Sequence, residues 1–232
     1  MSSFHRLLVP FAAAVLIGGI GGAGIGAGPA EAHGFSSTVY ADVAEEPDGR
    51  VRTTLELEYD LFVVSAADYR KDDGLFREGT AAFEAADTVA QAAALDGHAT
   101  AAVGYVTERF TVAAGGEDCV PARAGGFGMG VREGVPYTRL ILDWTCTGDG
   151  GHELRSTLFP ASEDYVRDTT TRVTYALGGE RGNATLTADE PALTVGGSSV
   201  LVVTMAVILL AGAVSIVVVG YRRRRSSVVR HQ

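Results

Sequence analysis

The side chains best suited to chemistry are few. Outside the two apolar ends of the chain, the residues that could hold a metal through nitrogen or sulfur are His33, His98, His152, Cys119 and Cys146. His33 follows Ala30-Glu31-Ala32, a small-x-small pattern at which a secretory leader is cut. A chain cut there starts with histidine, whose α-amino nitrogen and imidazole can both hold one metal ion. A second imidazole would complete a three-nitrogen set that suits Cu(II), and His98 and His152 are the two histidines that could supply it. There is no His-x-x-x-His pair and no Cys-x-x-Cys pair, so a self-contained zinc motif is absent from the sequence. The bland reading of His33, a residue that merely follows a cleavage site, stands beside the metal one.

Cys119 and Cys146 form an even pair. In an oxidising compartment such a pair reads as a disulfide; a two-thiol metal site would need reduced cysteines and further ligands at short spacing. Catalytic motifs are missing. No Gly-x-Ser-x-Gly elbow surrounds any serine. The run Gly125-Gly126-Phe127-Gly128-Met129-Gly130 lacks the Lys-Ser/Thr of a phosphate loop. The acid pairs Glu45-Glu46 and Asp72-Asp73 lack EF-hand spacing. The expectation is a protein that is not an enzyme.

The ends of the chain give an address. His5 and Arg6 precede an apolar run and then the Ala-x-Ala cut, so residues 1–32 are predicted to be a signal peptide. No charge occurs from Ser198 to Tyr221, a length that spans a hydrocarbon core about 30 Å thick, and 199–221 is predicted to be a transmembrane helix. Arg222, Arg223, Arg224 and Arg225 follow at once, and Tyr221 has the interfacial aromatic position. These residues would flank the bilayer and keep the short basic tail, 222–232, in the cytoplasm. The expected location is the cell membrane, single-pass, with residues 33–190 as an extracellular domain and 191–198 as a stalk. That domain holds nearly all the acids, a charge balance that excludes a nucleic-acid partner.

Periodicity sets the fold class of the outer domain. Leu55, Leu57, Tyr59, Leu61 and Val63 alternate with Glu56, Glu58 and Asp60, which predicts a half-buried strand. Pro47-Asp48-Gly49 is a turn before it, and the stretch from Ser36 to Ala44 is its hairpin partner. From about 74 to 107 the chain is Ala-rich, and Leu95, Ala99, Ala102, Val103 and Val106 recur at three and four. Two helices are expected there, inserted after the second strand, with a break near Ala86 to Thr88 and Asp87 as a cap. Short strands then return between Gly-rich turns. In one of them Leu140, Leu142, Trp144 and Cys146 share a face opposite Arg139, Ile141 and Asp143. The prediction is a mainly β, β-sandwich-like domain with a helical insertion.

The stretches AHGFSSTVYADV, LELEYDLFVVSAAD, YVTERFTV, LILDWTC, RSTLFP and VRDTTTRVTYAL resemble the extracellular N-terminal domain of actinobacterial HupE/UreJ-type membrane proteins. The resemblance covers nearly all of the outer domain. It implies an accessory role in handling a transition metal such as nickel or cobalt, beside a membrane transporter. The family's metal-handling residues are thought to lie in histidine-containing membrane helices. This chain departs from that pattern, because its one apolar span holds no His, Asp or Glu. Transport itself is therefore not implied. Two readings remain: an anchored domain that binds or delivers Ni, Co or Cu, and an envelope protein-interaction module with no metal role.

Overall fold

The computed structural model describes residues 35–196. The segments read as signal peptide (1–32), transmembrane helix (199–221) and basic tail (222–232) lie outside the described residues, as do His33, Tyr221, Arg222, Arg223, Arg224 and Arg225. Among the described residues no helix is long and apolar enough to cross a membrane.

Strand β1 (Ser36–Glu45) turns at Pro47-Asp48-Gly49 into β2 (Val51–Glu58), and the two pair antiparallel with Tyr40 opposite Glu56. Gly49 closes the turn by donating its N–H to the Glu46 carbonyl at 2.9 Å, at a φ of 81° that glycine adopts without a Cβ clash. This is the hairpin that the alternating pattern predicts. The strand does not run on to Val64, however. Glu58 ends it, and Tyr59 opens a helix, α1 (Tyr59–Arg70). Beyond Glu58 the buried residues include Tyr59, Phe62, Val63, Ala66 and Ala67, which recur at three and four. The alternation of Tyr59, Leu61 and Val63 is a by-product of a helix buried on most of its surface.

Three more helices follow, α2 (Asp73–Glu84), α3 (Thr88–Gly97) and α4 (Ala99–Arg109). The helical insertion thus runs from Tyr59 to Arg109 and holds four helices, where two were expected over about 74–107. The break near Ala86 falls where it was expected. Ala86 has a φ of 50°, and the Asp87 carboxylate accepts from the N–H groups of Val89 and Ala90, both at 3.0 Å. The second break, at His98, is hidden in the sequence because the apolar spacing continues across it.

The remaining strands are β3 (Phe110–Ala114), β4 (Glu117–Asp118), β5 (Val120–Arg123), β6 (Gly128–Arg132), β7 (Val135–Thr145), β8 (His152–Ser156), β9 (Asp168–Leu177), β10 (Glu180–Leu186) and β11 (Ala192–Val195). They complete a mainly β architecture of two sheets. The large one has the order β10-β9-β1-β2-β7-β5, with β6 also paired to β7; the small one is β11-β8-β3-β4. The pair β1 and β9 is parallel, with Tyr40 opposite Arg172, and the other pairs are antiparallel. Strand β11 is a correction. The segment read as a stalk, 191–198, begins inside the small sheet, where Leu193 lies opposite Leu154 and Val195 is buried. Four residues are too few to show a period in the sequence.

The inner faces of the sheets share one core with the helices. Leu140, Leu142 and Trp144 of β7 point into it, while Arg139 on the same strand is exposed, as the alternation predicts. Trp144 lies against Phe110 of β3 with ring centroids 6.4 Å apart, and Ser156 of β8 hydrogen-bonds Thr171 of β9 at 2.7 Å. The disulfide expected between Cys119 and Cys146 is present. Cys119 sits where the chain leaves β4 of the small sheet for β5 of the large one, and its N–H donates to the Val112 carbonyl at 2.8 Å. The bond therefore fastens the crossing between sheets to the end of β7. Replacing both cysteines by serine should lower the unfolding free energy by about 3 kcal/mol, from the entropy of the loop it closes. Denaturant unfolding of the oxidised chain and of the double variant checks this, and equal midpoints would contradict it.

Candidate functional site: the open face of the large sheet

The histidines expected to share a metal are not brought together among the described residues. His98 stands at the corner between α3 and α4. Its Nδ1 is 2.9 Å from Asp72 Oδ2, and its Nε2 is 3.5 Å from Glu78 Oε2. Asp72 also caps α2 by accepting from the Leu75 N–H at 3.0 Å, and that bond, reinforced by His98, holds its carboxyl below the usual carboxylate range. The ring packs over Gly74, where a Cβ would come within 2.6 Å of His98 Cε1. His98 thus ties the α3–α4 corner to the start of α2. His152 is half-buried and paired on both sides, opposite Ala114 and Val195, and its Nδ1 is buried without a hydrogen-bond partner. Among the described residues no group of three or more His, Cys, Asp or Glu side chains could hold a metal ion. Cys119 and Cys146 are occupied by their disulfide.

The side chains that do converge belong to the outer face of the large sheet. Pairing aligns Thr185, Arg172, Tyr40, Glu56 and Arg139 in one row across β10, β9, β1, β2 and β7. The next row holds Asn183, Thr174, Asp42, Thr54 and Ile141. With Arg132 of β6 these side chains, Ile141 excepted, line a concavity of about 680 Å³. This lining contains no histidine, cysteine or serine. It offers guanidinium, hydroxyl, amide and carboxylate groups, which suit recognition by charge and hydrogen bonds.

Tyr40 is the centre of the face. Arg132 lies over its ring at 4.0 Å and Arg172 at 5.9 Å, and the Tyr137 ring meets it edge-on at 5.8 Å. Arg132 is ion-paired with Glu56. Glu58 is satisfied by Ser37 Oγ at 2.9 Å, the Thr38 N–H at 3.2 Å and Tyr137 Oη at 3.3 Å. Burial, then the Glu58 charge, pushes the Tyr137 phenol well up, so it stays neutral and donates. Among the described residues, Arg139, Arg172 and Asp42 have no ion-pair partner. This matters because the described residues contain thirteen Lys/Arg against twenty-seven Asp/Glu. Two free arginines beside one free carboxylate make this face a positive exception on an acidic surface.

One end of the face is closed by a charge cluster. Asp143 of β7 accepts from Arg52 Nε at 2.7 Å and from Arg50 Nη1 at 2.9 Å. The Arg52 hydrogen bond, first among the causes, holds its carboxyl below the usual 3.8, against the opposing effect of burial. A carboxyl depressed on folding stabilises the fold above its unfolded pKa, and that contribution is lost as pH falls through the lowered folded value. Asp143→Asn should therefore cost about 1–2 kcal/mol at neutral pH, given half-exposed arginine partners, and should flatten the loss of stability below about pH 4. Thermal melts at pH 7 and pH 3 check this; an unchanged acid slope would remove Asp143 from the account.

Arg132, Arg139, Arg172 and Tyr40 were not singled out by motif, since none forms one. The usable signal is the outward half of each alternating strand, which becomes a face only once the strand order is known. No protein-family model and no curated protein matches the chain.

Proposed function

We propose that the chain is a single-pass membrane protein whose sandwich-like outer domain is a non-catalytic recognition module for another envelope protein, such as a membrane transporter. On this reading residues 1–32 are removed as a signal peptide, 199–221 anchor the chain in the lipid bilayer and the arginines after Tyr221 stay inside. The observation that carries the recognition role is the open face: two arginines without an ion-pair partner, a tyrosine held under Arg132 and a border of hydroxyl and amide groups, on a domain that is otherwise acidic. Polar rims of this composition suit contact with another protein's surface. A role in holding nickel, cobalt or copper would rest on His33, which lies outside the described residues, and the placement of His98 and His152 lends it no support.

The test is co-purification from gently solubilised native membranes, comparing the wild-type chain with Arg172→Glu. Recovery of a specific protein by the first and its loss with the second is the expected result. Recovery of the same proteins by both, or of none after crosslinking, would refute the reading.

A further inference from the structure

We infer that the open face takes an extended acidic segment of a polypeptide, laid across the strands, with two carboxylates about four residues apart on Arg172 and Arg139. This rests on the recognition reading above. The two arginines stand in the same cross-sheet row but are separated by β1 and β2. Three strand steps of about 4.8 Å place their backbones roughly 14 Å apart. The side chains keep that separation: Arg139 leans away from Arg172, with its Nη2 beside Gly128 of β6 on the far side of β7, so the two guanidinium groups do not converge on one carboxylate or phosphate group. An extended chain rises about 3.3 Å per residue and turns alternate side chains to one face, so acids at i and i+4 span about 13 Å and point the same way.

The groups between the arginines fit such a segment. Glu56 lies in the row but is ion-paired with Arg132, so it does not repel a passing carboxylate as a free acid would. Tyr40 is covered by Arg132 at 4.0 Å, so its ring steadies the Arg132–Glu56 pair beneath the passing segment. Thr54, Thr174, Thr185 and Asn183 present hydroxyl and amide groups to backbone N–H and C=O groups, although Thr174 Oγ1 already donates to Asn183 Oδ1 at 2.9 Å. A guanidinium grips a carboxylate through two parallel N–H bonds, which gives the contact direction as well as charge. Asp42, unpaired and one register step from the row, disfavours a ligand that is negative throughout and fits a hydrogen-bond donor between the two acids. Gly128 contributes space, since a Cβ there would come within 3.0 Å of Arg139 Nη2.

The test uses the full chain in lipid nanodiscs and fluorescent seven-residue Ser/Thr peptides read by anisotropy. One peptide carries glutamates at positions two and six, a second at two and four, and a third has glutamine at two and six. The first should bind at least about tenfold more tightly than the others, and Arg172→Gln or Arg139→Gln should each weaken it about tenfold with the near-ultraviolet circular dichroism of Trp144 unchanged. Equal binding of the three peptides, or wild-type binding by both arginine variants, would overturn the inference. If Arg172→Glu still abolishes co-purification while no peptide discriminates, the acidic-segment inference falls and the recognition reading survives; if both tests fail, the two fall together.

Discussion

Trp144→Ala should cost the folded domain about 4 kcal/mol, in the range for removing a buried tryptophan from a packed core. Trp144 is only 1% exposed and sits at the join of the two sheets, against Phe110 of the small one. Its indole Nε1 donates to Thr53 Oγ1 at 3.0 Å, and Thr53 is fully buried in β2. Truncation would therefore open a cavity, remove an aromatic pair and leave a buried hydroxyl without its donor. Trp144→Phe should cost less, because it keeps most of the volume and loses the hydrogen bond. Urea unfolding followed by far-ultraviolet circular dichroism checks both. A loss below about 1 kcal/mol for the alanine variant would mean that the sheets are not held together here.

Glu163→Ala should be the next most damaging change, at about 3 kcal/mol. Glu163 lies in a short 3-10 turn, Ala161–Glu163, and accepts from Arg109 Nη2 at 2.7 Å and Tyr105 Oη at 2.9 Å. Tyr105 Oη in turn accepts from the Phe159 N–H at 3.1 Å. Both ion-pair side chains are only 15% exposed, and the Arg109 guanidinium lies over the rings of Tyr69 and Tyr105 at 4.1 and 4.3 Å. Burial, above all, pushes the Tyr105 phenol far up, so it remains a donor that needs an acceptor. Removing Glu163 would strand a largely buried cation and a buried hydroxyl together, and would free the turn from α4. Glu163→Gln keeps an acceptor oxygen and should recover part of the loss. Equal unfolding midpoints for wild type and Glu163→Ala would contradict this network.

The parts of the fold that were legible in the sequence are those governed by short-range periods. The β1–β2 hairpin follows from alternation plus Pro47-Asp48-Gly49, and the α3 start follows from Asp87. The inward face of β7 follows from Leu140, Leu142 and Trp144. What failed was governed by contacts that a local window does not contain. Tyr59, Leu61 and Val63 continue a strand-like pattern into α1 because the helix is buried on several sides. The parallel pairing of β1 with β9 joins segments more than a hundred residues apart, and it is this pairing that puts Arg172 beside Tyr40. The metal reading rests on His33, outside the described residues; of its other two histidines, His98 orients a helix corner and His152 lies within a paired strand. The arginine face was invisible because its members come from β1, β2, β6, β7 and β9 and share no spacing.

The most direct measurement is site-specific photocrosslinking of the full chain in its native membrane. The photoreactive residue would replace Thr174, exposed on the β9 strand of the open face, and separately Glu84, exposed at the end of α2. A discrete protein adduct from position 174 and none from position 84 is the expected result. No adduct from position 174, or the same adducts from both positions, would contradict the assignment of this face as the recognition surface.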